Sequence, residues 1–131
     1  MFEDTGTATG FFNNAHKLIE AYHTVLLPLC RDTGLPPLAL DILLYLANHP
    51  QQNMARDICR CRGLKPGIVS VHVDRLVREG LLRRSEVPGD RRKTQLLCTD
   101  QAQPIIEQGR TLQKHLAETL LTGLTASEIE V

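Results

Sequence analysis

The chain has 131 residues, 15 Lys/Arg against 15 Asp/Glu, and 42% apolar residues. This length and composition fit one globular domain with a hydrophobic core, and they exclude a disordered or low-complexity chain. With no secretory signal and no apolar run long enough to cross a bilayer, we expect a cytoplasmic protein without a membrane partner.

Apolar residues at intervals of three and four predict a first amphipathic helix over roughly residues 10–31, with Pro28 kinking its last turn. A second helix begins at Pro37 and is apolar on nearly every side except at Asp41, which predicts a central, buried position. Asn53 is a candidate N-cap for a third helix, which Gly63 ends.

A fourth helix is predicted to begin at Pro66 and to end at Gly80, a plausible left-handed cap. Two β-like runs then flank a Pro-Gly-Asp turn within residues 83–99, which predicts a β-hairpin. A last long helix follows, with Thr99 or Asp100 as its cap and an Asp100–Gln103 capping box. We expect a break at residues 123–125.

The neutral net charge conceals a strong segregation of charges along the chain. Residues 56–93 hold eleven Lys/Arg against five Asp/Glu, and the remainder holds four against ten. A basic third between acidic flanks is typical of a nucleic-acid-binding element attached to a scaffold that does not bind. The alternative is a solvated basic surface without a partner.

The order of four helices, a hairpin and a further helix predicts a mainly α fold with a small β-hairpin wing, the winged helix-turn-helix. From about Leu38 to Leu124 the chain resembles the MarR family of bacterial winged-helix regulators. The resemblance rests on an ordered set of short motifs: Ile58-Cys59 through Gly63-Leu64, Val69-Ser70, Asp74-Arg75-Leu76, Glu79-Gly80-Leu81, Asp90-Arg91-Arg92 and Cys98-Thr99.

The resemblance implies a homodimer that binds double-stranded DNA through two winged-helix lobes. Residues 1–34 and 100–131 would form the dimerisation region, with terminal dimerisation helices, and residues 35–99 the DNA-binding domain. Many relatives bind a small aromatic acid between the two regions or sense oxidants through a cysteine. Family members usually continue with a further long helix, where this chain has only residues 125–131. Either the chain is truncated or its dimer relies more on the first and fifth helices.

The fourth helix is the candidate recognition helix, whose first turns would contact bases in the major groove. Its expected DNA-binding residues are Lys65, Pro66, Gly67, Ser70, Val71 and Arg75. Arg75 could equally tie the helix to the hairpin through an acid. His72 is expected to face the buried side.

The hairpin tip carries three consecutive cations, Arg91, Arg92 and Lys93, after Asp90. Arg92 matches the family's minor-groove arginine. Narrow minor grooves favour arginine, and Asp90 is expected to orient the Arg92 guanidinium. Arg91 and Lys93 are expected to meet phosphates or solvent. The alternative is that all three cations serve solubility.

Four cysteines are too few for a disulfide scaffold, and Cys59-Arg60-Cys61 lacks zinc spacing. We expect Cys59 and Cys98 to pack internally and regard Cys30 and Cys61 as candidate redox residues. No metal site or other cofactor is expected, because Cys30 has no histidine at the spacing of a helical metal clamp.

We expect no enzymatic activity, since the sequence shows no nucleophile–base pairing and no phosphate-binding glycine loop. The prediction is a ligand- or stress-responsive repressor that binds a palindromic operator. The alternative is a winged-helix protein-interaction module. A cleft between the two regions is the candidate site for an organic effector, with His16, Tyr22 and Arg110 as polar contacts. The residues expected to build the dimer are Tyr22, Val25, Leu26, Leu29, Leu112, Leu116, Leu120 and Leu121.

Overall fold

The computed structural model describes the backbone of residues 2–130 and the side chains of residues 16–122. It confirms a mainly helical chain with one antiparallel hairpin. The elements are α1 (Phe2–Thr33), α2 (Pro37–Asn48), α3 (Ala55–Arg62), α4 (Pro66–Arg78), β1 (Leu82–Val87), β2 (Asp90–Cys98), a 3-10 turn (Asp100–Ala102) and α5 (Gln103–Glu130).

Helix α2 is the centre of the core, as its apolar sequence predicts. Its residues 39–46 are all buried, and α1, α4, α5 and β2 contact it. Gly109 allows α5 to lie close to α2, because a Cβ at this position would be 2.5 Å from Leu44 Cδ2. Such burial on every side is typical of a helix in the middle of a domain.

The turn between α3 and α4 follows from local sequence. Gly63 ends α3 with φ of 63°, a left-handed conformation that glycine adopts without steric cost. Pro66 then occupies the first position of α4. Helix α4 buries Val69, Val73 and Leu76 and thereby leaves its opposite face to solvent.

The hairpin is anchored at its base and projects its tip. Leu82 and Leu96 are buried, and the strands pair from Leu82–Cys98 outward. Leu96 N–H donates to Asn53 O at 2.8 Å, which ties β2 to the loop before α3. The turn at Gly89, with φ of 83°, lies at the far end.

Three predicted helix boundaries are wrong. Helix α1 is longer than residues 10–31. Asn53 does not cap α3, since its amide donates to Gln95 and Met54 is the N-cap, with its N–H bonded to Asp57. Thr99 does not cap α5 through its side chain, because its hydroxyl donates to Gly80 O at 2.6 Å.

Helix α5 is continuous through residues 123–125, where a break was predicted. A glycine inside a helix costs about 1 kcal/mol relative to alanine, which an otherwise favourable segment without proline tolerates. The C-terminal segment is therefore one long helix after a 3-10 turn. No helix in the described part of the chain is long and apolar enough to cross a membrane.

Candidate nucleic-acid interface and helical cavity

The first turns of α4 are open to solvent. Lys65, Pro66, Gly67, Ser70 and Val71 are all exposed, and Val71 keeps 65% of its surface accessible. The rest of the protein leaves these residues uncovered, so the start of α4 is free to enter a groove of a partner. Whether they contact bases stays a prediction.

Three further residues of this region are exposed that sequence reasoning did not select. Ile68 of α4 is 41% exposed, and Arg56 and Arg60 of α3 also reach solvent. The basic count over residues 56–93 already included both arginines. Ile68 gives no sequence signal, because its apolar side chain suits a core position equally well.

Arg91 and Arg92 at the hairpin tip are exposed, and no described acidic side chain forms an ion pair with either of them. Asp90 was predicted to orient the Arg92 guanidinium, but it makes no contact with that group. Its Oδ1 accepts the backbone N–H of Arg92 at 3.0 Å, and its Oδ2 lies 4.0 Å from Lys93 Nζ. Asp90 therefore fixes the backbone of the tip and leaves the Arg92 side chain free.

The link between α4 and the hairpin uses residues other than Arg75. Arg84 of β1 pairs with Asp74 of α4. Arg75 is half-buried, donates to Gly34 O, and lies 3.5 Å from Glu79 on its own helix. Arg75 therefore does not tie α4 to the hairpin, and its contact with a phosphate stays a prediction.

A helical cavity of about 570 Å³ lies beside α1, α2 and α5. Tyr22, one of the three predicted effector contacts, lines it, and Gln113 Nε2 donates to the Tyr22 hydroxyl at 2.7 Å. Burial raises the pKa of Tyr22 to about 12, so the phenol stays protonated at neutral pH. The remaining walls are mostly apolar: Leu18, Ile19, Leu38, Leu64, Leu116, Ala117 and Leu120.

The charged part of the helical cavity is an ion pair, Asp41–Arg62. Arg62 Nε lies 2.9 Å from Asp41 Oδ2, and the Arg62 guanidinium carbon lies 5.3 Å from the centre of the Tyr45 ring. Burial of the guanidinium lowers the pKa of Arg62, but the opposing influences, led by the charge and the hydrogen bonds of Asp41, together outweigh it, so the pKa of Arg62 is raised. Sequence reasoning missed Arg62 as a cavity residue.

His16 and Arg110 do not line the helical cavity. His16 is exposed and pairs with Glu20 one turn along α1. Arg110 lies against the C-terminal end of α2, where it donates to Asn48 Oδ1 and to Ala47 O. The predicted polar contacts were chosen by helix membership, which does not fix the direction in which a side chain points.

The predicted dimer residues are divided by the structure. Leu26 and Leu29 are buried in the core of their own chain and are therefore not available to a dimer interface. In contrast, Leu18, Ile19 and Leu120 are exposed large apolar residues at 44%, 55% and 42%. The apolar surface of α1 and α5 therefore lies partly at residues that the sequence analysis did not select.

The cysteines are free thiols. Cys30, Cys59 and Cys98 are half-buried and Cys61 is exposed. Burial raises the pKa of Cys30, which disfavours its reactive thiolate form. Within the described residues, no cluster of three or more His, Cys, Asp or Glu side chains could hold a metal ion.

Solved structures of bacterial regulators share this fold. The transcriptional regulator PA3341 matches 92% of the chain over 88% of its own length, with a TM-score of 0.76 and 25% identity. CouR from Rhodococcus jostii RHA1, solved with p-coumaroyl-CoA, matches 91% of the chain over 87% of its length (TM-score 0.68, 19% identity). A mutant of S. aureus MepR bound to an oligodeoxyribonucleotide matches 95% over 88% (TM-score 0.61, 21% identity).

No curated protein sequence matches the chain significantly. The model of the MarR family matches residues 33–93, from the end of α1 to the tip of the hairpin. This is a family of DNA-binding regulators and not of enzymes. The match and the shared fold agree with the resemblance predicted from the sequence: residues 33–93 match the MarR family model, and the chain has the winged helix-turn-helix fold of the solved MarR-family structures.

Proposed function

We propose that the chain is a homodimeric, sequence-specific repressor that binds a near-palindromic operator and releases it when a small organic effector binds. The observation that carries the proposal is the pairing of an exposed α4 N-terminal face with two arginines at the hairpin tip that lack acidic partners. A protruding cation without a partner inside the protein is suited to a phosphate or a narrow minor groove.

The MepR structure supports the DNA part of the proposal, because that protein is bound to an oligodeoxyribonucleotide. CouR, bound to p-coumaroyl-CoA, supports the effector part. In this chain, the helical cavity offers apolar walls, a protonated Tyr22 hydroxyl and the Arg62 guanidinium. These groups suit a largely apolar ligand with one polar or anionic end. Arg62 also ends α3, four residues before Pro66, where α4 begins, so a ligand there would act on the position of the recognition helix.

Fluorescence anisotropy tests the DNA part with a labelled duplex from the region upstream of the chain's own gene and an unrelated duplex of equal length. We expect tighter binding to the upstream duplex and a steep loss of affinity between about 50 and 200 mM salt. Equal, weak binding to both duplexes would contradict the proposal and favour a winged-helix module that binds protein.

A further inference from the structure

Two large apolar side chains are exposed at the start of α4. Val71 keeps 65% and Ile68 keeps 41% of its surface accessible. Both lie within the first two turns of the helix, and residues three apart are neighbours on a helix surface. We name this pair the α4 patch. Because α4 contributes Val69, Val73 and Leu76 to the core, the α4 patch is not needed to hold the helix in place.

Few hydrogen-bonding side chains accompany the α4 patch. Helix α4 contains no Asn, Gln or Lys, residues that together with Arg form specific hydrogen bonds with purine edges. Its two arginines, Arg75 and Arg78, lie in the last turn, and His72 is half-buried. The first two turns therefore expose one hydroxyl, that of Ser70, with Lys65 before them at the N-cap. A hydroxyl bonds to more than one kind of base, so it discriminates weakly.

The surroundings of the α4 patch favour a nucleic-acid duplex over a protein as its partner. Lys65 precedes the patch, and Arg56 and Arg60 of the neighbouring helix α3 are also exposed. Two side chains cover much less than the roughly 800 Å² that each partner of a stable protein complex buries. A small apolar contact among cations suits a groove between phosphates, where the 5-methyl group of a pyrimidine is the apolar feature.

We propose that the α4 patch selects the operator by direct contact with 5-methyl groups of pyrimidines in the major groove. This inference rests on the proposed function, since it needs α4 to lie in the groove of an operator. Val71, the more exposed residue, contacts the methyl group, and Ile68 packs beside it. A Cβ at Gly67 would meet no other part of the protein within 4 Å, so the space one turn before Val71 is open to a base.

Deoxyuridine scanning of the operator duplex tests the proposal. Deoxyuridine keeps every hydrogen-bonding group of thymidine and lacks only the methyl group. Each thymine is replaced in turn, and fluorescence anisotropy measures the affinity of the wild-type chain. Replacement at one position in each half-site is expected to weaken binding about fourfold, the value of removing one buried methyl group.

Thymine and 5-methylcytosine carry the methyl group at the same place on the groove edge, so both bases satisfy the contact. The second arm of the experiment therefore replaces each cytosine by 5-methylcytosine. Where a cytosine faces Val71, the methylated base is expected to strengthen binding about fourfold. A loss with deoxyuridine identifies thymine as the natural source of the methyl group, and a gain in the second arm identifies 5-methylcytosine.

The variant Val71→Ala assigns the effect to the α4 patch. It is expected to bind the natural operator about fourfold more weakly than the wild type does. Deoxyuridine or 5-methylcytosine at the sensitive position should then change its affinity no further, because the contact is already absent. Arg91→Ala, at the exposed hairpin tip, is the control, and it should weaken binding but keep the full effect of the methyl group. Circular dichroism checks the fold, which alanine at an exposed helical position should preserve.

The possible failures of this inference and of the proposed function are distinct. Specific binding to an operator whose affinity no deoxyuridine or 5-methylcytosine changes would overturn the inference and leave the proposed function intact. A methyl effect of equal size in Val71→Ala and in the wild type would assign the contact to another residue and would also overturn the inference. Equal binding to the operator and to an unrelated duplex would refute the proposed function, and the inference with it.

Discussion

Arg62 binds Asp41 through two hydrogen bonds, from Nε to Oδ2 at 2.9 Å and from Nη2 to Oδ1 at 3.3 Å. The bond joins the last turn of α3 to the middle of the central helix α2. Asp41 is 5% exposed and is the buried charged residue of the described core. Because α4 begins four residues after Arg62, the pair fixes the point from which the candidate recognition helix starts.

Arg62→Met is predicted to reduce the free energy of unfolding by about 2–4 kcal/mol, because it leaves the Asp41 carboxylate buried without its partner. Urea unfolding followed by circular dichroism measures the change. The double variant Asp41→Leu/Arg62→Met is the control and should recover most of the loss, since it removes the buried charge as well. A double variant as unstable as the single one would show that the arginine stabilises the fold in another way.

The sequence could identify Asp41 as an unusual residue but could not name its partner. Asp41 stands out locally, as the acidic residue of an apolar helix. Arg62 lies 21 residues further along the chain, and only the packing of α3 against α2 brings the two together. The same limit explains why Arg75 rather than Arg84 was considered as the tie to the hairpin, and why Arg110 was grouped with Tyr22 although it does not line the helical cavity.

Element boundaries were predicted well where a local stop signal is strong. Gly63 and Pro66 fix the turn before α4, and Gly89 lies in the turn of the hairpin. The prediction failed at residues 123–125, where a single glycine is a weak signal and the helix continues. The exposed residues of α4 were largely found, because its buried stripe follows a clear helical period.

Asp74→Ala is predicted to lower DNA affinity by more than it lowers the free energy of unfolding. The Asp74–Arg84 pair is exposed on both sides, so its loss should cost at most about 1 kcal/mol of unfolding free energy. DNA affinity should fall by more than this amount, because the hairpin loses a link that sets its position against α4. Thermal unfolding and anisotropy on the same sample measure both. Parallel, equally small losses would show that the link does not position the hairpin for DNA.

Arg92→Ala is predicted to weaken operator binding by about 1–3 kcal/mol while the melting temperature stays that of the wild type. Arg91→Ala is the matched control, one residue away on the same exposed tip. It should weaken all sequences similarly and reduce the salt dependence of binding, as expected of a phosphate contact. Wild-type operator affinity of a stably folded Arg92→Ala protein would exclude the minor-groove role.

His72 is predicted to make the protein less stable in mild acid. Burial and then the nearby positive charge of Arg75 lower the pKa of His72 in the folded chain. Unfolding therefore takes up a proton once the pH falls below the unfolded value of about 6.5, and stability declines from there through the lower folded pKa. Above about pH 7.5 this contribution is constant.

The matched variant for this prediction is His72→Gln, which keeps a polar side chain of similar length and cannot gain the charge. Its free energy of unfolding should fall less than that of the wild type between pH 7.5 and pH 5. Chemical denaturation at each pH gives the two curves. Identical curves would show that His72 does not contribute to acid sensitivity.

Ile19→Glu is predicted to abolish the proposed homodimer. Ile19 lies with Leu18 and Leu120 on the exposed apolar surface of α1 and α5, and a carboxylate there would be buried without a partner in a two-fold interface. Light scattering at micromolar concentration should give the wild type twice the 14.6 kDa chain mass and the variant a single chain mass. Val71→Glu, which changes an exposed apolar residue on α4, is the control and should remain dimeric.

If Ile19→Glu is monomeric, it should also lose the preference for two half-sites about one helical turn apart over a single half-site, because two-fold protein symmetry imposes that spacing. A wild-type chain that scatters as a monomer yet binds a palindrome tightly would contradict the dimer.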